Sequence, residues 1–126
     1  MNYVESTFDF DSVGELRLFL CGRRDGTPDH SFGPAARNHY WLIYVKSGRG
    51  VLKGTGKTCR FDDGSMMIIR PGQLLWYRAD AGTKMSIRWI CIDGSAVVSA
   101  VNSLPVTPEN PIFVPYEIVE APEVSP

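Results

Sequence analysis

The sequence predicts an all-β fold with one short helix near its C-terminal end. Glycine and proline are frequent, with 12 and 9 copies in 126 residues, and they separate short stretches rich in Val, Ile, Tyr, Trp and Phe. Roughly seven or eight such stretches recur at near-regular spacing, which is typical of antiparallel β folds. Because an antiparallel sheet this long must cover or close its edges, we expect a sandwich, a jelly roll or a barrel.

The first two strands are predicted on either side of a long loop. Residues 16–21 carry leucines at alternate positions and are predicted to form the first strand. Residues 22–36 contain the turn signals Asp25-Gly26 and Gly33-Pro34 and are predicted to form a loop, whose length suggests a function. Residues 39–46 are apolar at both alternating positions, which predicts a central strand covered on both faces.

Turn signals divide the middle of the chain into further strands. Gly48 and Gly50 are expected to turn the chain into a strand over residues 51–53, and a hairpin is expected across residues 54–56. The remaining strands are predicted at residues 58–61, 66–70, 74–79 and 85–92. The last of these strands has one wholly apolar face, formed by Met85, Ile87, Trp89 and Cys91.

The pattern changes after Gly94. Ser95 is a candidate N-cap for a short helix over residues 96–104, which Pro105 is expected to terminate. Residues 108–115 are predicted to form a short edge strand, and the proline-containing end of the chain is typical of a linker.

Length and composition favour one compact domain. The formal net charge is −1 and the pI is about 6.1, which argues against a phosphate-gripping nucleic-acid surface. From Lys46 to Arg88, however, nine basic residues stand against three acidic ones. Two interpretations stay open: these residues are solvated outward faces, or they attract an anionic ligand or partner.

Cysteine usage and hydropathy indicate the cellular compartment. Cys21, Cys59 and Cys91 lie in apolar stretches without the paired short spacing of zinc sites, so we expect buried thiols in a reducing compartment. The sequence begins without a signal-peptide pattern and contains no apolar run of about 18 residues, so we expect a cytoplasmic protein that makes no membrane contact.

Several motifs occur in a specific order and spacing. They are residues 38–50 (NHYWLIYVKSGRG), Phe61-Asp62-Asp63-Gly64-Ser65, Arg70-Pro71-Gly72, residues 77–80 and residues 88–90. Together they resemble the N-terminal cupin domain of the AraC family of transcription regulators. An upstream stretch, from Cys21-Gly22 through residues 30–34 to Arg37, resembles members of that family that control carbohydrate use.

The resemblance implies a cupin-type double-stranded β-helix, or jelly-roll barrel, that binds a small-molecule effector, commonly a sugar. We expect one domain over residues 1–126, in which residues 1–13 form an N-terminal arm, residues 14–94 form the barrel, and residues 95–126 form a helix, an edge strand and the start of a linker. The resemblance also implies a homodimer in the full-length regulator. DNA would be contacted only by a separate C-terminal helix-turn-helix domain, which is not present in these residues.

Enzymatic members of the cupin fold hold a metal with two or three histidines and a carboxylate. The positions after Gly50 and after Pro71-Gly72 that would supply those histidines contain none, and the chain has only His30 and His39. We therefore expect no catalytic residue, no metal and no cofactor. Two alternatives stay open: a stand-alone cupin enzyme such as a sugar isomerase or lyase, and a dimerisation module without a ligand.

A sugar pocket needs aromatic faces and a few polar groups. Trp41, Trp76, Tyr77 and Trp89 are the aromatic candidates, although Trp41 and Trp76 also suit a core or a dimer contact. The resemblance places the ligand-binding positions at Ser47, Tyr77, Ile87 and Trp89, with a polar edge position at Arg23 or Arg24. Because Ser47 and Ile87 replace an arginine and a histidine of the arabinose-responsive member, a different effector is implied.

Overall fold

The computed structural model describes residues 2–7, 16–54 and 56–115. Ten strands and one helix follow one another in these residues. They are β1 (Asn2–Thr7), β2 (Arg17–Pro28), β3 (Ser31–Ala35), β4 (Tyr40–Ser47), β5 (Gly50–Lys53), β6 (Cys59–Phe61), β7 (Met66–Ile69), β8 (Leu75–Ala79), β9 (Lys84–Asp93), α1 (Ser95–Asn102) and β10 (Ile112–Phe113). The predicted all-β class with one short helix is confirmed.

The strands form two antiparallel sheets. The six-stranded sheet has the order β1-β2-β9-β4-β7-β10, and the four-stranded sheet has the order β3-β8-β5-β6. The described strands of the two sheets do not pair with one another, so the sheets face each other as a sandwich and do not close into a continuous barrel.

The main core lies between the two sheets. In β4 the buried side chains Trp41, Ile43 and Val45 alternate and face the other sheet. Leu75 and Tyr77 of β8 face them from the four-stranded sheet and are at most 2% exposed. Period-two alternation therefore places one parity of β4 and one parity of β8 in this core.

A second, smaller core explains why β4 is apolar on both faces. Tyr40 and Leu42 lie on the outer side of the six-stranded sheet, where Val97 and Val101 of α1 and Val106 cover them. β4 pairs with β9 on one side and β7 on the other, so the predicted central, doubly covered strand is confirmed.

The helix differs slightly from its prediction. Ser95 is its first residue, and the N-cap position is Gly94, which has no side-chain hydrogen bond to the helix. The helix ends at Asn102, shortly before Pro105. Within the described residues no helix is long and apolar enough to cross a membrane. The predicted edge strand is shorter than expected, because only Ile112 and Phe113 pair with β7.

The prediction of a loop over residues 22–36 is wrong. β2 continues to Pro28 and β3 occupies Ser31–Ala35. The second half of β2 is polar and lacks the alternation expected of a half-buried strand, but it pairs with β1 on one side and β9 on the other. Backbone pairing with distant strands has overridden the weak local preference of this segment.

The predicted N-terminal arm is partly described. Residues 2–7 form β1, which pairs antiparallel with β2 from Asn2 opposite Asp25 to Thr7 opposite Leu20. The rest of the arm, which is residue 1 and residues 8–13, and the predicted linker from residue 116 lie outside the described residues.

Candidate functional site

A cavity of about 190 Å³ lies where β1, β2, β4 and β9 of the six-stranded sheet meet β3 and β8 of the other sheet. Among the described residues, aromatic rings, two arginines, one histidine and one carboxylate line it. The lining residues are Tyr3, Glu5, Arg24, His30, Phe32, Arg37, Trp41, Tyr77, Ile87 and Trp89.

Strand register decides which side chains of β2 reach the cavity. Arg24 lies opposite Ile87 of β9, and Gly22 lies opposite Trp89. Since paired residues of neighbouring strands point to the same face, Arg24 joins Ile87 and Trp89 on the inner face. Arg23 has the opposite parity, and its half-exposed side chain lies 3.8 Å from a carboxylate oxygen of Asp25.

A buried histidine and tyrosine form the polar part of the cavity. His30 Nε2 lies 3.0 Å from the Tyr77 hydroxyl oxygen, and His30 Nδ1 lies 3.4 Å from an Arg24 nitrogen. Because a guanidinium only donates, Nδ1 is the accepting nitrogen and Nε2–H donates to the tyrosine oxygen. The Tyr77 hydroxyl proton is then available to a ligand.

Burial sets the charge of this pair. It lowers the pKa of His30, and the nearby positive charge of Arg24 lowers that pKa further. Burial also raises the pKa of the Tyr77 hydroxyl far above its ordinary value. Both side chains are therefore uncharged near neutral pH, which fits the hydrogen bonding described above.

β1 supplies one wall of the cavity through Tyr3 and Glu5. Trp89 Nε1 donates to Glu5 Oε2 at 3.3 Å, and the Tyr3 hydroxyl donates to Glu5 Oε1 at 3.1 Å. The rings of Tyr3 and Trp89 are 5.7 Å apart, and the Arg24 guanidinium lies 4.6 Å from the centre of the Tyr3 ring. The cavity is therefore bounded partly by an edge strand.

Another part of the cavity lining is an arginine stacked on aromatic rings. The Arg37 guanidinium lies 4.6 Å from the Trp41 ring centre and 5.7 Å from that of Phe32. The backbone of Arg37 is anchored, since its carbonyl accepts a 2.8 Å hydrogen bond from the Gly72 amide in the Pro71-Gly72 turn. Arg37 Nε and Trp41 Nε1 are both buried, and neither has a hydrogen-bond partner among the described residues.

The structure brings together four of the six residues that the sequence singled out as ligand-binding. Arg24, Tyr77, Ile87 and Trp89 line the cavity. Arg23 faces away from it, and Ser47 is not among its lining residues. Ser47 is six positions along β4 from Trp41, which corresponds to roughly 20 Å of strand.

Sequence reasoning did not identify His30, Phe32 and Arg37 as site residues, and it did not separate a core role from a pocket role for Trp41. Trp41 is 5% exposed and does both, because its ring belongs to the core and lines the cavity. Trp76 lies outside the cavity on the other face of β8, near Lys53 and Arg78. Proximity of Arg37 to the Pro71-Gly72 turn could not be seen in the local sequence.

Metal-binding groups are dispersed in the described residues. No three His, Cys, Asp or Glu side chains there lie close enough to hold an ion. His39 stacks on the Phe19 ring at 4.4 Å and does not line the cavity that His30 lines. The described site can bind through donors and rings but has no assembled carboxylate and imidazole cluster.

Comparison with known proteins identifies the family. The family model described as the AraC-like ligand binding domain matches residues 18–126. No curated protein matches the chain at a significant level. Among solved structures, YhaK from Escherichia coli superposes with a TM-score of 0.61 at 15% identity, over 74% of this chain and 45% of that protein. This chain thus spans less than half of that protein's length.

A second solved structure supports the fold. A Cupin 2 conserved barrel domain protein from Salinispora arenicola CNS-205 superposes with a TM-score of 0.55 at 14% identity, over 80% of this chain and 82% of that one. Identities this low concern the fold alone, and they confirm the predicted cupin type. Since the family model covers nearly the whole chain, this protein belongs to the family of AraC-like ligand-binding domains.

Proposed function

We propose that this chain is the effector-sensing domain of an AraC-type transcription regulator and that its effector, a carbohydrate or a close derivative, binds in the cavity between the sheets. The family membership supports a small-molecule sensing role. In this proposal the chain works as a dimer, and a separate helix-turn-helix domain contacts DNA.

The observation that carries the proposal is a cavity that combines ring faces with unpaired hydrogen-bond donors. Trp89, Trp41 and Tyr77 offer aromatic surface to sugar C–H groups, and Arg37 Nε and Trp41 Nε1 have no described partner. A buried donor without a partner is unfavourable, so a ligand oxygen that accepts from it is stabilised. At about 190 Å³ the cavity is smaller than a typical pocket for a drug-sized ligand, which favours a single sugar unit.

The position of β1 suggests how binding is transmitted. β1 is an edge strand that pairs only with β2 among the described strands, and Tyr3 and Val4 are about half exposed. A ligand that touches both β1 and the rest of the cavity wall favours the docked form of β1. The difference between the ligand's affinities for the docked and undocked forms of β1 sets how far binding shifts the population towards the docked form.

Thermal unfolding and tryptophan fluorescence with a panel of monosaccharides and their derivatives test the proposal. A true effector raises the melting temperature by mass action and changes the emission of Trp41 and Trp89. Trp76→Phe is the matched control, because it removes the tryptophan outside the cavity and should leave the ligand-induced change intact. If no compound changes either signal, the proposal is wrong.

The same samples distinguish a sensor from a stand-alone cupin enzyme. A sensor returns the bound compound unchanged after long incubation, whereas a sugar isomerase or lyase converts it. Chromatography of the released compound makes this comparison directly.

A further inference from the structure

The cavity carries an excess of positive charge. Arg24 and Arg37 line it, whereas Glu5 is the one carboxylate that lines it among the described residues. Glu5 already accepts hydrogen bonds from Tyr3 and Trp89 on the β1 side. His30 adds no negative charge, because an imidazole side chain is either neutral or positively charged.

Neither cavity arginine forms an ion pair with another described residue. The ion pairs among the described residues join Arg23 and Arg88 to Asp25 and Arg60 to Asp80. These pairs lie outside the cavity lining. A guanidinium in a partly enclosed site is costly to leave without a counter-charge, so the two arginines make the cavity attractive to an anion.

The geometry around Arg37 leaves its donors available. The Trp41 ring covers a face of the guanidinium, at 4.6 Å from the ring centre to the central carbon. Stacking of this kind occupies the face of the group and leaves its in-plane N–H groups free to bind an oxyanion, often through two parallel hydrogen bonds. Arg37 Nε is buried and has no hydrogen-bond partner among the described residues, so this donor still needs an acceptor.

Trp41 provides a second, independent example of a cavity residue whose donor lacks an acceptor. Its side chain is at least nine-tenths buried, at 5% exposure, and its indole nitrogen has no hydrogen-bond partner among the described residues. An indole N–H can only donate, so it needs an acceptor. Arg37 and Trp41 both line the cavity and each carries an unpaired donor, so a ligand group with several acceptor oxygens suits this site.

We infer that the ligand of this cavity carries an oxyanion, a carboxylate or a phosphate, and that Arg37 and Trp41 hold this group while Arg24 adds a second positive charge. The inference rests on the proposed sensing function and names the chemical class of its effector. A sugar acid or a sugar phosphate satisfies both the aromatic and the cationic parts of the site. The nine basic residues from Lys46 to Arg88 are not part of this anion site, because none of them lines the cavity.

Calorimetric titration with matched pairs of ligands tests the inference. The pairs are D-galactose with D-galacturonate and D-glucose with D-glucuronate, and D-glucose 6-phosphate is the phosphate arm. We expect at least one anion to bind about tenfold more tightly than its neutral partner, with affinity that falls as salt is added. Preference for the uronates assigns a carboxylate, and preference for the 6-phosphate assigns a phosphate.

Two variants locate the anion. Arg37→Gln should weaken binding of the preferred anion about tenfold and abolish its advantage over the neutral sugar. Trp41→Phe keeps an aromatic ring under Arg37 but removes the indole N–H. It should weaken binding of the anion by a smaller factor than Arg37→Gln does. Arg49→Gln is the charge-matched control, since Arg49 is exposed and lies outside the cavity lining.

The outcomes separate this inference from the proposed function. Equal binding of neutral and anionic partners overturns the anion inference and leaves the sensing function supported. Binding of an anion that Arg37→Gln leaves unchanged overturns the assignment of Arg37. If no compound binds, both the inference and the carbohydrate-sensing function are overturned.

Discussion

His30 Nε2 lies 3.0 Å from the hydroxyl oxygen of Tyr77, and the two side chains are 7% and 2% exposed. This hydrogen bond ties the turn between β2 and β3 to the middle of β8. Because the Ala79 amide also donates to the His30 carbonyl at 2.8 Å, backbone and side chain fix His30 to the same strand. Two hydrogen bonds therefore hold this polar part of the cavity lining to β8.

Removing the tyrosine hydroxyl should cost stability. Tyr77→Phe leaves a buried imidazole N–H without its partner, so we expect the free energy of unfolding to fall by about 1–3 kcal/mol. Urea unfolding measures this free energy. Tyr44→Phe makes the same chemical change on a half-buried residue and should stay within about 0.5 kcal/mol of the wild type. Equal losses in the two variants would contradict a structural role for the His30–Tyr77 bond.

Stability should decrease on acidification partly through His30. Burial lowers the pKa of His30 below its ordinary value of 6.5, and the Arg24 charge lowers it further. The unfolded chain thus takes up a proton more readily, and the free energy of unfolding falls as the pH drops from about 6.5 towards the lower folded-state pKa.

Urea unfolding at pH 7.5 and pH 5.5 checks this pH dependence. His30→Gln should lose less stability between the two pH values than the wild type does. His39→Gln is the comparison, because burial also lowers the pKa of His39, which does not line the cavity. An unchanged loss in His30→Gln would show that this histidine is not a source of the acid sensitivity.

A methyl group at Gly22 should disturb the β1 wall. A Cβ there would lie 2.8 Å from Trp89 Cε2 and would also collide with the Val4 carbonyl oxygen. We expect Gly22→Ala to destabilise the protein by about 1–3 kcal/mol, to alter tryptophan emission and to speed amide exchange in residues 2–7.

Gly50→Ala is the control for this overpacking. Its Cβ would meet Ala79 and the Phe61 ring in the other sheet, away from β1. We expect Gly50→Ala to destabilise the protein without faster amide exchange in residues 2–7. If Gly22→Ala leaves that exchange at the wild-type rate, β1 does not depend on the close approach at Gly22.

Cys91 should be the least reactive of the cysteines. Burial raises the pKa of its thiol to about 11, and its exposure is 0%. We expect iodoacetamide at pH 8 to alkylate Cys91 more than about tenfold more slowly than the half-buried Cys21. Mass spectrometry of proteolytic peptides gives both rates. Comparable rates would mean that the core around Cys91 opens readily.

Much of the fold could be predicted from local patterns. The two-sided apolar run at residues 39–46 predicted the central strand, which is observed at Tyr40–Ser47, and the strand predicted at residues 74–79 is observed at Leu75–Ala79. The segment after Gly22 could not be predicted as strand, because its polar residues are held by pairing with β1 and β9 and not by their own preference.

The sequence by itself determined the strand periodicity, the order of the turns and the family, because these depend on neighbouring residues and on motif spacing. Only the tertiary structure decided that Arg24 and not Arg23 enters the cavity, since that depends on the register between β2 and β9. It also placed Arg37 on Trp41 and His30 beside Tyr77. Such contacts join residues on different elements, and no local pattern encodes which of them meet when two sheets pack face to face.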